Sequence, residues 1–206
     1  MFLPNNMEAS ISGDPGEIIA IKVSNKNKTS NNLRVNIEGN TYELIPLPFD
    51  KQGKSILINN ENIYVNKKDF GESRIKIKNN SMVSLSEEDS QRAYKESQII
   101  KNTLNSYTTE NKPEFNFIQP VEGIISSKYG KRRFINDLPR SPHLALDIAA
   151  PPGTKIVAPA KGKIILIGDF FYSGNYIIID HGYGLLTSYS HLSKVNVVKN
   201  QFVEQG

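Results

Sequence analysis

The three histidines of this chain, His143, His181 and His191, all fall in its second half and are its most versatile chemical groups. His143 belongs to Ser141-Pro-His-Leu-Ala-Leu-Asp147, which sets an imidazole and a carboxylate four residues apart, ahead of Ile148-Ala-Ala-Pro-Pro-Gly. On an irregular or extended stretch two such groups can converge on one ion. Both are good zinc donors, and a catalytic zinc wants three such ligands plus an open water position. The same spacing also suits a surface histidine and a turn aspartate, so the pair alone decides nothing. His191, in Tyr189-Ser-His-Leu-Ser, ends a run whose alternation places Thr187, Tyr189 and His191 on one face. That set is odd for a core face and fits a polar cleft. His181, in Asp180-His-Gly-Tyr-Gly, sits in a two-glycine turn and reads as a hairpin residue bonding its own backbone.

These groups need a scaffold, and 206 residues can bury a core without disulfide staples, as one large domain or two small ones. Hydrophobic residues at 38% and charged residues at 22% give a globular balance. The absence of cysteine excludes disulfide scaffolds, iron–sulfur clusters and thiol catalysis. With no tryptophan, any sugar platform would rest on the 9 Tyr and 9 Phe. The net charge of +4 is mild and spread over both halves. Its densest part, Lys128 to Arg133, carries Lys128, Lys131, Arg132 and Arg133 and could meet a polyanion or simply be a solvated loop. Nucleic acid is not demanded. The longest apolar runs, such as Ile164 to Ile167, fall far short of the roughly 20 residues of a transmembrane segment. Met1-Phe-Leu-Pro-Asn-Asn lacks the basic and apolar regions of a signal peptide, so at face value the chain is cytoplasmic or its start is not the natural one.

The texture predicts a mainly β protein in three parts. Over 9–82, Glu17 to Val23, Leu33 to Ile37, Thr41 to Leu47 and Arg74 to Lys78 read as short strands between Asn, Gly, Asp and Lys clusters, a small antiparallel sandwich-like domain. A linking helix follows over 86–108. Ser86 with Glu87, Glu88 and Asp89 caps its start, Ala93, Ile100, Leu104 and Tyr107 share a face, and it ends near Tyr107. Thr108 to Pro113 is a polar linker. From 115 to 206 the chain is rich in strands and in Gly and Pro turns, with no helix. Lys161 to Gly168, Asn175 to Asp180 and Leu185 to Leu192 are consecutive strands of an antiparallel β domain.

Val121 to Phe134, Ser141 to Thr154, Ala158 to Ile164, Gly174 to Gly182 and Ser188 to Ser193 run in an order that resembles the lysostaphin/LytM-type zinc endopeptidases, which cut peptidoglycan crosslinks. The resemblance covers roughly residues 117 to 206. Residues 10 to 110 also resemble the small β domain and helix that precede the peptidase in a Gram-negative envelope branch. It implies a peptidase fold of the duplicated hybrid-motif kind, Zn2+ as cofactor, His143 and Asp147 as metal ligands, and peptidoglycan as partner in the periplasm or cell envelope. It implies further that His191 donates to the scissile carbonyl oxygen, with Tyr189 beside it on the substrate. Arg133 and Arg140, ahead of His143, are candidates for a stem-peptide carboxylate. The family's later H-x-H pair, which supplies a general base and the third ligand, is absent from these 206 residues. The expectation is therefore an incomplete chain, weakly active as it stands.

Two other readings compete. Degenerate relatives bind the wall or switch on other hydrolases without catalysis, but those usually lose the His and Asp ligands. A biotinyl- or lipoyl-like carrier is suggested by Ala158-Pro-Ala-Lys-Gly-Lys-Ile, yet Lys161 and Lys163 sit at a strand start rather than in the tight hairpin a carrier needs.

Overall fold

The structure, a computed structural model, describes residues 11–23, 32–58, 61–78 and 84–206. Met1 to Asn6 and the stretch 79–83, beside the expected boundary between the β domain and the helix, lie outside the described residues. The chain is mainly β, and its contacts divide it into two compact units, Met1–Glu72 with Gly130–Arg132 and Ser73–Tyr129 with Arg133–Gly206.

In the first unit, alternating apolar residues build two three-stranded sheets. β2 (Ile18–Lys22) and β3 (Arg34–Ile37) flank β4 (Asn40–Pro46) in antiparallel register. β1 (Ile11–Gly13), β6 (Glu61–Val65) and β5 (Lys54–Ile58) form the other sheet, in the order β1-β6-β5. β1 runs parallel to β6, so this sheet is mixed and not antiparallel throughout. A parallel pair needs a long crossover, and here the whole β2–β4 sheet intervenes between the two strands. Ile45, Leu47, Ile63 and Val65 are buried at the core, with Ile11, Ile19, Ile21, Ile56 and Ile58 packed against them.

The second unit holds α1 (Glu87–Leu104), the one α-helix among the described residues. The Ser86 hydroxyl accepts the Asp89 N–H at 3.0 Å, and Glu87, Glu88 and Asp89 complement the helix dipole. The helix stops at Leu104, short of Tyr107, and Ile100 joins a core of Leu166, Phe170, Tyr176 and Ile178. That core belongs to an antiparallel sheet of β14 (Leu186–Leu192), β13 (Gly174–Asp180), β12 (Gly162–Phe170) and β15 (Phe202–Val203), in that order. Gly162, Ile164 and Leu166 alternate as buried positions along β12, the period-two pattern of a strand. β8 (Ile124–Ser127) pairs with β11 (Asp147–Ala149), and β7 (Glu72–Ile75), β9 (Arg132–Ile135) and β10 (Leu138–Arg140) form a sheet in the order β10-β9-β7.

Candidate functional site

His143 lies on the irregular stretch between β10 and β11, and the end of β8 holds its ring in place. The residue is only 7% exposed. Its Nδ1 stands 3.2 Å from the Lys128 carbonyl oxygen and 3.3 Å from Ser127 Oγ. A carbonyl oxygen can only accept, so Nδ1 carries a hydrogen and donates it. Nε2 then faces Asp147 Oδ1 at 2.9 Å. Asp147 begins β11 opposite Ser127, at a register shift that breaks the regular ladder, and its side chain is 54% exposed. The bulge turns the carboxylate toward both the ring and solvent.

This donor set fits a zinc ion. A neutral Nε2 and a carboxylate oxygen both offer lone pairs, so facing each other they need positive charge between them, a proton or a metal. Donor atoms on a tetrahedral zinc stand about 3.3 Å apart, so the pair would open by only about 0.4 Å. The Nδ1 bond to a backbone carbonyl is also the usual outer support of a metal-bound histidine. Among the described residues, no group of three or more His, Asp or Glu is placed to hold a metal, so the donors that this stretch offers are His143 and Asp147.

His191 sits near the end of β14, where Ile177 pairs with Tyr189 but Asn175 pairs with Leu192. Ser190 and His191 on β14 thus oppose Tyr176 alone on β13, and the extra residue makes a bulge. His191 takes a left-handed backbone there, φ 59°, which is uncommon outside glycine. Its N–H donates to Ser173 O at 2.8 Å. The strict alternation expected through Thr187, Tyr189 and His191 therefore holds for the first two and is broken before the third, and the His191 side chain is exposed. Among the described residues no hydrogen bond or ion pair joins His191 or Tyr189 to the His143–Asp147 pair.

His181 lies in the expected turn, where its N–H donates to Leu185 O, but its side chain does not bond the turn's own backbone. It is 1% exposed, its Nδ1 is 2.7 Å from Lys161 O, and its Nε2 is 2.8 Å from Thr187 Oγ1. Burial pushes its pKa below the ordinary imidazole range, outweighing the Lys161 carbonyl and the Asp180 charge, which act the other way. Tyr189 Oη donates to Thr187 Oγ1 at 3.0 Å, and burial pushes its phenol upward. Thr187 thus links His181 to Tyr189, a contact that spacing did not disclose.

Arg133 and Arg140 stand directly opposite each other on β9 and β10. The two-residue turn Asn136-Asp137 joins the strands with φ of 50° and 63°, the type I′ pattern that asparagine and aspartate tolerate. Like charges in such register repel. The Arg133 Nε is buried and has no hydrogen-bond partner among the described residues.

Residues 141–206 match the family model for Peptidase family M23. Over 83 residues, 40% of this chain, the sequence is 39% identical to the peptidoglycan DD-endopeptidase ShyA of Vibrio cholerae and spans 19% of that protein. Over 93 residues, 44% of this chain, it is 36% identical to the cell division protein DipM of Caulobacter vibrioides and spans 14% of that protein. The matched stretch is thus about a fifth or less of these relatives' length. The crystal structure of a Pseudomonas aeruginosa protein assigned to peptidase M23 aligns over 93% of this chain and 79% of its own, with TM-score 0.70 and 25% identity. No helix among the described residues is long and apolar enough to cross a membrane. The His143–Asp147 pair lies inside residues 141–206, the segment that matches Peptidase family M23, and this is the lysostaphin/LytM-type family that the motifs resemble.

Proposed function

We propose that the chain serves a zinc metalloendopeptidase that hydrolyses peptide bonds in the stem or crosslink peptides of peptidoglycan, in the periplasm or cell envelope. The observation that carries this reading is the His143 Nε2 held 2.9 Å from Asp147 Oδ1, with Nδ1 committed to a backbone carbonyl, inside the segment that matches the family. His143 and Asp147 would hold the zinc. When bound there, zinc supplies a Lewis acid that polarises a carbonyl and lowers the pKa of a bound water. His191, exposed on its bulge, donates a hydrogen bond to the carbonyl oxygen as that oxygen gains charge. Tyr189 contacts the peptide beside it, and the Arg133–Arg140 pair receives a stem-peptide carboxylate, which would relieve their mutual repulsion.

Two ligands hold zinc more weakly than the three of a catalytic site. Hydrolysis by the 206-residue chain is accordingly slow, and the test is cleavage of purified crosslinked peptidoglycan with and without a chelator. Slow, EDTA-sensitive release of crosslink peptides supports the reading, and cleavage indifferent to EDTA sinks it. Charge reversal at both Arg133 and Arg140 that left stem-peptide binding unchanged would remove them from the site. A second reading, a non-catalytic wall-binding or hydrolase-activating protein, is opposed by the intact His143–Asp147 pair. Zinc affinity separates the two, because an activator has no use for a metal at His143 and Asp147.

A further inference from the structure

We infer that Tyr189 acts in the proposed site as a hydrogen-bond acceptor for a peptide N–H of the substrate, and that His181 and Thr187 are the positioning residues that fix this polarity. The inference rests on the reading that Tyr189 faces substrate, and it adds which way its hydroxyl points and why.

The argument is a count of hydrogens along one chain of contacts. The Lys161 carbonyl can only accept, so the hydrogen between it and His181, 2.7 Å apart, sits on Nδ1. The ring is buried, with Phe117 set edge-on against it at 5.2 Å between centroids, and burial favours the uncharged imidazole. A neutral ring with its hydrogen on Nδ1 has only a lone pair on Nε2. Thr187 must then donate its one hydroxyl hydrogen to Nε2 across 2.8 Å. Having spent it there, Thr187 Oγ1 can only accept from Tyr189, 3.0 Å away. The Tyr189 hydrogen is therefore drawn inward, and what its oxygen offers outward is lone pairs. A half-buried phenol so arranged receives an N–H and refuses a carbonyl oxygen. Stabilising developing negative charge then falls to other donors, His191 among them.

The arrangement is also stiff. Thr187 and Tyr189 occupy alternate positions of β14 and pair with Ile179 and Ile177 of β13, ahead of the bulge that releases His191. Positioning residue and positioned residue thus share one regular stretch of sheet. Two residues on, the strand changes course.

The test uses the full 206-residue chain and two measurements. Ring nitrogen NMR of the labelled protein near neutral pH is expected to show His181 uncharged with its hydrogen on Nδ1, and a ring protonated on Nε2 overturns the inference. Binding is then measured with a purified crosslinked muropeptide dimer as probe. Tyr189→Phe and Thr187→Val are each expected to weaken it about 3- to 10-fold, the range for one neutral hydrogen bond, with Thr187→Ser restoring it to within about 2-fold. If Tyr189→Phe weakens binding and Thr187→Val does not, Tyr189 still faces substrate and the polarity argument is wrong. If Tyr189→Phe binds as well as wild type, or wild type does not bind, the substrate reading itself fails. Should Thr187→Val not fold, the tautomer of the wild-type ring still decides.

Discussion

Replacing Gly182 by alanine should damage the second unit far more than one added methyl suggests. Gly182 follows His181 in the turn between β13 and β14, with φ +97°, a conformation that side chains rarely adopt. A Cβ built there would collide with the Asn111 carbonyl oxygen, a backbone atom that cannot rotate away. Either the turn or the 107–117 stretch must move. Two hydrogen bonds tie them together, Tyr183 N–H to Thr108 O at 2.7 Å and Thr108 Oγ1 to Asp180 Oδ2 at 2.7 Å. Left-handed strain costs an alanine about 1–2 kcal/mol, and each lost bond about 1 kcal/mol more. The expected destabilisation is about 3–4 kcal/mol.

Gly153 supplies the control. Its φ is +89°, nearly the same backbone, yet nothing lies within 4 Å of its missing Cβ. Gly153→Ala should therefore carry the strain alone, about 1–2 kcal/mol. The assay is native-state hydrogen exchange at the β12–β13 amides, which reads the opening free energy of this unit separately from the other. Gly182→Ala should exceed Gly153→Ala by about 2 kcal/mol. Equal losses would mean that the 107–117 stretch yields freely, and the claim that it braces the His181 turn would be refuted.

Three further outcomes are expected. Zinc at about 100 times its dissociation constant should stabilise the chain by about 2.7 kcal/mol. Calorimetry should show that gain vanishing in His143→Ala and mostly surviving in Ser127→Ala, where the Lys128 carbonyl keeps the Nδ1 bond. Because burial lowers the folded pKa of His181, the unfolded chain binds more protons below about pH 6.5, so its stabilising share is full above that pH and lost as pH falls. Urea midpoints between about pH 5 and pH 8 should show that slope, and His181→Gln should flatten it. Ser86→Ala removes the cap on Asp89 N–H and should cost about 1 kcal/mol, with faster exchange in the first turn of α1.

The parts of the fold that announced themselves were those with a local cause. Ser86 followed by three acids marked the start of α1, and the alternation of β12, β13 and β14 was plain in the residues that build them. β5 and β6 escaped notice because Asn59 to Asn62 reads as polar loop, although Ile63 and Val65 beyond it are wholly buried. The parallel pairing of β1 with β6 joins residues some fifty positions apart, and nothing local encodes it. The left-handed turn at His191 is equally silent. A bulge is a mismatch between two strands, visible only when their register is known.

The two buried histidines show why spacing singled out one and misjudged the other. His143 and His181 are held by the same device, an Nδ1–H donated to a backbone carbonyl, from Lys128 in one case and Lys161 in the other. In both, the free atom is Nε2, and its neighbour alone separates their chemistry. Facing Asp147 Oδ1, an exposed carboxylate with lone pairs to spare, Nε2 becomes half of the proposed cation site. Facing Thr187 Oγ1, a hydroxyl that can donate, Nε2 is satisfied and unavailable to a metal. An aspartate four residues away was visible in the sequence, but the carbonyls that choose which nitrogen is free belong to the backbone and carry no side-chain signature. His181 therefore looked like a turn residue, when its burial and its hydroxyl partner make it the fixed end of the chain that sets the direction of the Tyr189 hydrogen.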